Sequence, residues 1–177
     1  AVFDVMDMLS PLAAQKHIAM AFYYADNIPQ QVIGDALRFK QILTNLISNA
    51  IKFTPDGEII VRVRMEHDDI GQCLLHFSVQ DSGIGLSGTD RKKLFESFSQ
   101  GDASVTRQFG GTGLGLAISK QLVHLMHGQI GFEDNQERAP TEKGSTFWFT
   151  AQFAVDEEHE IEHPHFEHLQ EIGRAHV

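Results

Sequence analysis

Two asparagines one helical turn apart are the first residues here whose types and spacing suggest chemistry. Asn45, Asn49, Lys52 and Phe53 lie at positions i, i+4, i+7 and i+8, so in a helix they fall within an arc of about 100°. Carboxamide oxygens are hard ligands that suit Mg²⁺, an ammonium group suits phosphate, and an aromatic ring suits a flat base. The stripe favours a phosphate-and-metal site; the alternative is a solvated helix face.

A second candidate is the segment Asp81 to Gly85, which follows a predicted strand. Its sequence DSGIG, extended to Gly88, contains the letters of the dinucleotide fingerprint G-x-G-x-x-G. We reject that interpretation because the fingerprint must open a helix at once, whereas polar residues follow here. Asp81 could instead accept a hydrogen bond from an exocyclic amine, and glycines let the backbone approach a flat ligand. The alternative is an ordinary Asp-Gly turn.

The third candidate is the glycine-rich run Gly110 to Gly115, which leads directly into a predicted helix. Such a turn offers backbone N–H groups and the positive end of the helix dipole to an anion. It is not a phosphate loop of the Walker type, because Leu116 stands where that motif needs lysine. Phosphate binding is favoured over a simple hinge.

Between the second and third candidates lies the segment Leu94 to Gln100 (LFESFSQ), followed by a polar stretch that contains Arg107. Two phenylalanines three residues apart on a short helix lie on the same face and are expected to pack against a small apolar surface. The polar stretch predicts a mobile lid that brings Arg107 towards a phosphate; the alternative is an ordinary surface loop.

Other chemistry is poorly supported. His124 and His127 have metal-ligand spacing but no convergent acid, so packing or surface roles are favoured. The single cysteine, Cys73, excludes an intramolecular disulfide and fits a reducing compartment.

Composition limits the classes of protein that remain. Of 177 residues, 42% are hydrophobic and 21% charged, which is typical of a soluble globular domain. No apolar run reaches the roughly 20 residues of a membrane span. The net charge of −10 is opposite to that of a general nucleic-acid binder.

The elements that must position these residues alternate between helical and strand periodicity, and they predict a two-layer α/β domain with a mixed sheet of about five strands and three main helices on one face. Asp35 is the expected N-cap of the long helix, and an Asp68 to Gly71 turn predicts a hairpin. A short strand is also considered around Phe3. The predicted helices are 5–16, 36–53, 91–95 and 112–127; the predicted strands are 18–24, 58–65, 74–80, 129–133 and 145–155.

The charged stretch that begins at Asp156 lacks periodicity and is interpreted as a linker. The sequence therefore predicts a domain at 1–155 and an acidic linker at 156–177.

In this order, the motifs resemble the catalytic ATP-binding domain of sensor histidine kinases, which belongs to the wider family with the Bergerat fold. The resemblance covers about residues 1–155. The corresponding boxes are 38–54 (RFKQILTNLISNAIKFT, the N box), 81–85 (DSGIG, G1), 94–100 (F), 111–116 (GTGLGL, G2) and 143–149 (KGSTFWF, the closing strand).

The resemblance implies ATP and Mg²⁺ as cofactors and a role for each box. Asn49 is the implied metal ligand, and Asp81 accepts the adenine amine. Asn45, Lys52 and Arg107 form the implied catalytic set around the phosphates. The nucleotide-binding positions that it implies are Asn45, Asn49, Lys52, Phe53, Asp81, Gly83, Ile84, Gly85, Gly111, Thr112, Gly113, Leu114 and Gly115.

The implied reaction is transfer of the γ-phosphate of ATP to a histidine on a separate dimerisation domain, in two-component signalling. His17 does not sit in the acceptor pattern. ATPases of the same fold carry a Glu, as base, at the position of Asn45, so hydrolysis is the less favoured alternative. A degenerate module that binds partners without nucleotide is the other.

The resemblance also implies the surroundings of the domain. The stretch 104–109 is similar to hybrid kinases, and 169–177 resembles the approach to a receiver domain, so a downstream receiver or response regulator is expected as partner. The fragment is expected to be monomeric and cytoplasmic, without nucleic-acid or direct membrane contact. The parent protein is compatible with anchoring in the inner membrane of a bacterial cell.

Overall fold

The computed structural model describes residues 1–29, 31–85, 94–95, 114–134, 144–155 and 170–172. In these residues it contains three helices and seven strands. The helices are α1 (Val2–Gln15), α2 (Ala36–Phe53) and α3 (Gly115–Leu125). The strands are β1 (Ile18–Tyr24), β2 (Val32–Ile33), β3 (Gly57–Asp69), β4 (Gln72–Asp81), β5 (Ile130–Asp134), β6 (Ser145–Val155) and β7 (Gln170–Ile172).

The seven strands form one mixed sheet. Their order is β2-β6-β4-β3-β1-β7, and β5 also pairs with β6. β1 and β3 are parallel, and the other pairs are antiparallel. The prediction of about five strands and three helices in an α/β domain is confirmed, since five strands are five residues or longer. The two short strands, β2 and β7, were not predicted.

Strand β7 lies in the segment that the sequence predicts as linker. Residues 170–172 pair antiparallel with β1, so that Phe22 faces Gln170 and Met20 faces Ile172. A three-residue strand at a sheet edge does not define a domain boundary. The division of the chain at residue 155 therefore stays a prediction.

The long helix α2 is the central element of the helical layer, and its predicted bounds and cap are confirmed. Asp35 accepts a hydrogen bond from the backbone N–H of Arg38 at 2.9 Å, which satisfies one of the donors that a helix start leaves open. The apolar residues of α2 recur at helical spacing and so form one stripe, which packs against the sheet. Its buried residues are Phe39, Ile42, Leu43, Leu46, Ile47, Ala50 and Ile51.

Helix α1 replaces the short strand considered around Phe3, and that part of the prediction is wrong. Val5, Met6, Leu9 and Ala13 are buried at helical spacing, and this period extends the helix back to Val2. The ring of Phe3 meets Phe22 of β1 edge to face, with centroids 5.1 Å apart.

The hairpin of β3 and β4 is confirmed. Residues of β4 alternate strictly between buried and partly exposed positions, as a strand packed on one face must. The register shifts between Met65 and His67, and the chain turns at Ile70 and Gly71, where Gly71 has φ +73°.

Helix α3 occupies the middle of the predicted 112–127 helix; positions 112–113 lie outside the described residues. Of the predicted short helix at 91–95, the described part is the pair Leu94 and Phe95, which forms a turn. No described helix combines the length and apolar character that a bilayer-spanning helix requires.

Candidate functional site

The polar stripe of α2 forms a hydrogen-bonded chain that reaches α3. Asn45 donates from Nδ2 to Oγ of Ser119 on α3 at 2.9 Å. Asn49 donates from Nδ2 towards Oδ1 of Asn45 in a longer contact of 3.5 Å. Both asparagines are half-buried and Ser119 is buried. The stripe is therefore an ordered pair of amides rather than a freely solvated face.

The direction of these bonds decides which amide oxygen can serve a ligand. Asn45 uses its Nδ2 on Ser119 and its Oδ1 on Asn49. The Nδ2 of Asn49 donates to Asn45. The Oδ1 of Asn49 therefore points away from Asn45. A neutral oxygen on a half-buried amide is a suitable ligand for Mg²⁺, which binds few protein groups and keeps other positions for water and phosphate. The residues present thus fit the metal that the sequence predicts at Asn49.

Gly115 begins α3 directly against Asn45. A Cβ atom at residue 115 would overlap Oδ1 of Asn45 and lie 3.1 Å from its Cγ. The amino end of α3 therefore lies very close to the side chain of Asn45, a contact between two helices that the sequence did not indicate. This contact brings the amino end of α3 to the asparagine pair.

Asp81 ends β4 as the last inward-facing residue of that strand, and it is 4% exposed. Its Oδ1 accepts a hydrogen bond from the N–H of Gly83 at 2.9 Å. A Cβ on Gly83 would overlap the carbonyl oxygen of Phe53 and lie 2.9 Å from that same Oδ1. The acid and the first glycine of the bend are therefore fixed against each other.

The bend is joined to the end of α2. The N–H of Ile84 donates to the carbonyl oxygen of Phe53 at 3.2 Å, and the side chain of Ile84 is exposed. Gly85 follows with φ +71°, a conformation that disfavours residues with a Cβ. The structure thus brings together two of the segments that the sequence selected, the asparagine helix and the acid-glycine bend.

Lys52 and Phe53 share the last turn of α2, and both are half-buried. The ammonium of Lys52 lies 5.0 Å from the ring centroid of Phe53, within the range of cation–π attraction. Thr54 follows and is fully buried, and its Oγ1 has no hydrogen-bond partner among the described residues. The last turn of α2 and the residue after it thus combine a cation, an aromatic ring and a buried hydroxyl next to the acid-glycine bend.

Part of the predicted site lies outside the described residues, and its placement stays a prediction. Leu114, the N-cap of α3, is described together with Gly115. The predicted positions not described are Arg107, Gly111, Thr112, Gly113, Arg91 to Lys93 of the short helix and the 96–100 part of the phenylalanine motif.

His124 lies in the last turn of α3, and His127 follows two residues after its end. Both side chains are exposed, and in the described part of the chain no group of three or more His, Cys, Asp or Glu residues could hold an ion. Their exposure agrees with the surface alternative of the predicted surface or packing role. Ser119 is a site residue that the sequence did not indicate, because its partner Asn45 is 74 residues away.

The chain matches one protein family over residues 34–155, the family described as histidine kinase-, DNA gyrase B-, and HSP90-like ATPase. Among curated proteins it is similar to the sensor histidine kinase GacS of Pseudomonas protegens, with 46% identity over 147 residues that cover 83% of this chain and 16% of the relative. It is also similar to the signal transduction histidine-protein kinase BarA of Escherichia coli, with 40% identity over 82% of this chain and 15% of the relative. The chain therefore spans about one sixth of these relatives.

Solved structures agree with these similarities. Full-length ShkA in complex with AMPPNP superposes with a TM-score of 0.69 and 34% identity, covering 88% of this chain and 30% of that one. The mycobacterial sensor histidine kinase MprB gives a TM-score of 0.64 and 26% identity, covering 87% of this chain and 95% of that one.

Proposed function

The chain belongs to the histidine kinase-, DNA gyrase B-, and HSP90-like ATPase family, and from this premise we propose that it binds ATP with Mg²⁺ and donates the γ-phosphate to a histidine of a separate dimerisation domain. The relatives that cover most of the chain are named as histidine kinases. The chemistry is phosphoryl transfer, in which positioning and charge neutralisation matter more than covalent catalysis.

One observation carries the proposal: the hydrogen bond from the N–H of Ile84 to the carbonyl oxygen of Phe53. It joins the bend that contains Asp81 to the helix that contains Asn49. An acceptor for the adenine amine and a ligand for a phosphate-bound metal thereby belong to one connected unit. Such an arrangement suits a ligand with a base at one end and a polyphosphate at the other.

Each described residue has a separate task in this proposal. Asn49 would hold Mg²⁺ through Oδ1, and the ion would offset the charge of the phosphates. Lys52 would contact a phosphate, while Phe53 would border the adenine. Asp81 would accept the adenine amine, and Gly83 would leave room for the base. The undescribed positions Arg107, Gly111, Thr112 and Gly113 are proposed to complete the phosphate contacts.

Transfer to a protein acceptor is favoured over hydrolysis because Asn45 cannot take a proton from water. Its amide is already committed to Ser119 and Asn49. Loss of a general base costs about 10²- to 10⁴-fold in rate. Bound ATP should therefore persist until an acceptor histidine is presented.

The proposed partners follow from the same reaction. The acceptor is a histidine on a dimerisation domain of the same protein, and a receiver domain or response regulator takes the phosphate next. His17 is exposed and has φ +57° immediately after α1, outside any acceptor helix. A monomeric cytoplasmic domain of a bacterial sensor kinase is the proposed setting.

Phosphotransfer can be tested directly by mixing the chain with γ-labelled ATP, Mg²⁺ and the dimerisation domain encoded with it. We expect label on the histidine of that domain and slow hydrolysis in its absence. Rapid release of phosphate by the chain alone would instead support an ATPase. Absence of nucleotide binding would support a degenerate docking module.

The metal assignment gives a sharper test. Replacing Asn49 with alanine should abolish the effect of Mg²⁺ on ATP binding, because the proposed protein ligand is removed. In calorimetric titrations we expect Mg²⁺ to strengthen binding about tenfold or more in the original chain and less than about twofold in the variant.

Ser48→Ala is the matched control for Asn49→Ala. Ser48 is half-buried on the same turn, and its Oγ donates to the carbonyl oxygen of Asn45 at 3.0 Å. This variant should retain the Mg²⁺ effect. Retention of the full Mg²⁺ effect by Asn49→Ala would contradict the assignment.

A further inference from the structure

Lys16 connects the turn after α1 to the far end of α2. Its Nζ donates to the carbonyl oxygen of Ile51 at 2.8 Å and to that of Lys52 at 3.1 Å. The side chain is half-buried, and 35 residues separate it from Ile51. Both acceptors belong to the last turn of the helix, where the proposed nucleotide residues lie.

These two bonds complete the hydrogen bonding of that helix end. The last four carbonyl groups of a helix have no partner within it. In α2, the carbonyl of Ala50 accepts from Thr54 at 3.0 Å, and that of Phe53 accepts from Ile84 at 3.2 Å. Lys16 supplies the donor for the remaining two. All four groups are therefore satisfied, two of them by one ammonium.

We propose that Lys16 is a positioning residue of the nucleotide site, an inference that rests on the proposed function. Its cation meets the negative end of the α2 dipole, and hydrogen bonds from a charged donor are stronger than neutral ones. The bonds hold the last turn in helical form. They thereby fix the side chains of Lys52 and Phe53 and the Phe53 carbonyl that anchors the acid-glycine bend.

Loss of the Lys16 bonds is expected to affect the acid-glycine bend through the hydrogen bond between Ile84 and Phe53. If the last turn of α2 frays, the Phe53 carbonyl moves, and the N–H of Ile84 loses its acceptor. Asp81 and Gly83 lie immediately before Ile84, and Gly83 packs against that same carbonyl. Lys16 therefore acts on the adenine side of the site through the backbone and needs no contact with the ligand.

The opposite end of α2 provides a matched control. Asp35 caps the helix start through Arg38 and is exposed, at the end away from Phe53. Asp35→Ala removes a cap from the same helix without touching the last turn. Comparison of Lys16→Met with Asp35→Ala separates positioning of the site from a general loss of helix stability.

The experiment measures ATP affinity by titration and exchange of the Ile84 amide by NMR in the absence of nucleotide. For Lys16→Met we expect about three- to thirtyfold weaker binding and faster Ile84 exchange. Lys16→Arg, which keeps the charge and several donors, should restore most of both. For Asp35→Ala we expect an affinity change below about twofold and unchanged Ile84 exchange.

Two results would overturn the inference: equal weakening in Lys16→Met and Asp35→Ala, or unchanged Ile84 exchange in Lys16→Met. Should Lys16→Met not fold, Lys16→Gln keeps a neutral donor and an intermediate effect is expected; no effect in Lys16→Gln counts against the role. If the original chain itself binds no ATP, the proposed function fails, whereas the exchange data still decide whether Lys16 orders the bend.

Discussion

The side chains between α2 and β4 change in character from one end of this layer to the other. At the amino end of α2, the ring of Phe39 meets that of Phe77 of β4 edge to face, with ring centroids 4.9 Å apart. The ring centroids of Phe149 and Phe153 of β6 lie 6.0 and 6.1 Å from that of Phe39. We call these four rings the aromatic end. At the other end, which we call the polar end, the buried residues include Thr54, which follows α2, and Asp81, which ends β4.

The two ends differ in how their buried groups are stabilised. The aromatic rings satisfy one another, because their stabilisation comes from removing apolar surface from water and from ring packing. Buried polar groups cost free energy unless they are hydrogen-bonded. Thr54 keeps an unpaired hydroxyl among the described residues, and the buried carboxylate of Asp81 accepts a hydrogen bond from the N–H of Gly83. We therefore expect the aromatic end to contribute mainly to stability and the polar end to contribute to the proposed nucleotide site.

The largest expected effect comes from the aromatic end. Phe39→Ala should lower the free energy of unfolding by about 3–5 kcal/mol, since it removes a buried ring and leaves a cavity. Urea denaturation measures this change. Leu37→Ala is the control, because Leu37 is 78% exposed on the same turn and its loss should cost less than about 0.5 kcal/mol.

Nucleotide binding by the folded fraction of Phe39→Ala tests the separation of the two ends. We expect its ATP affinity per folded molecule to match that of the original chain. A large loss of affinity in protein that is still folded would mean that the aromatic end also shapes the site, and the comparison between the ends would not hold.

The next effect is expected at the polar end. Asp81→Asn should weaken ATP binding about 10- to 100-fold, because a hydrogen bond to a charged group is lost and an amide donor then faces the adenine amine. The preference for ATP over GTP should fall with it. Competition titrations with the two nucleotides provide the measurement, and urea denaturation should show a far smaller change than in Phe39→Ala.

Asp69→Asn is the matched control for Asp81→Asn. It removes the same charge at the exposed tip of the hairpin, where Oδ1 of Asp69 accepts from Ile70 at 2.8 Å. Nucleotide affinity should be unchanged. An unaltered ATP preference in Asp81→Asn would remove the adenine role from this residue.

Much of the fold could be predicted because its periodicity is local. Helix α2 has a cap, a stripe and a proline after its end, and β4 alternates without exception. Strands β2 and β7 have two and three residues, too few to establish a period. They exist through pairing with β6 and β1, and such distant partners leave no short-range signal.

The residues of the candidate site also fall into those that local spacing predicts and those that depend on distant contacts. Asn45 and Asn49 could be found because helical geometry fixes residues four apart on one face. Ser119 and Lys16 could not, since each meets α2 across a long stretch of sequence. The close contact between Gly115 and Asn45 was also hidden, because it arises from the packing of two helices and not from a turn.

The face of β4 opposite the aromatic end sharpens the comparison, because its residues adjoin the aromatic end without belonging to it. His76 precedes Phe77 but occupies the opposite face, where its ring stacks on Trp148 at 5.4 Å. Partial burial lowers the pKa of His76 below its ordinary 6.5, and nearby Arg64 lowers it further, while Glu66 and Glu133 act in the opposite direction. The folded domain therefore disfavours the protonated form.

This depressed pKa predicts the smallest effect of the series. Below pH 6.5 the unfolded chain takes up a proton at His76 before the folded chain does, so stability is greatest above that pH and declines as the pH falls towards the folded pKa. His76→Phe keeps the stacked ring and removes this titration. In urea denaturation from about pH 8 to about pH 5, the variant should lose less stability than the original chain by under about 1 kcal/mol, because solvent screens a half-exposed group. Equal losses in the two proteins would mean that His76 contributes nothing to the acid sensitivity of the fold. The two faces of β4 would then not differ in their response to pH.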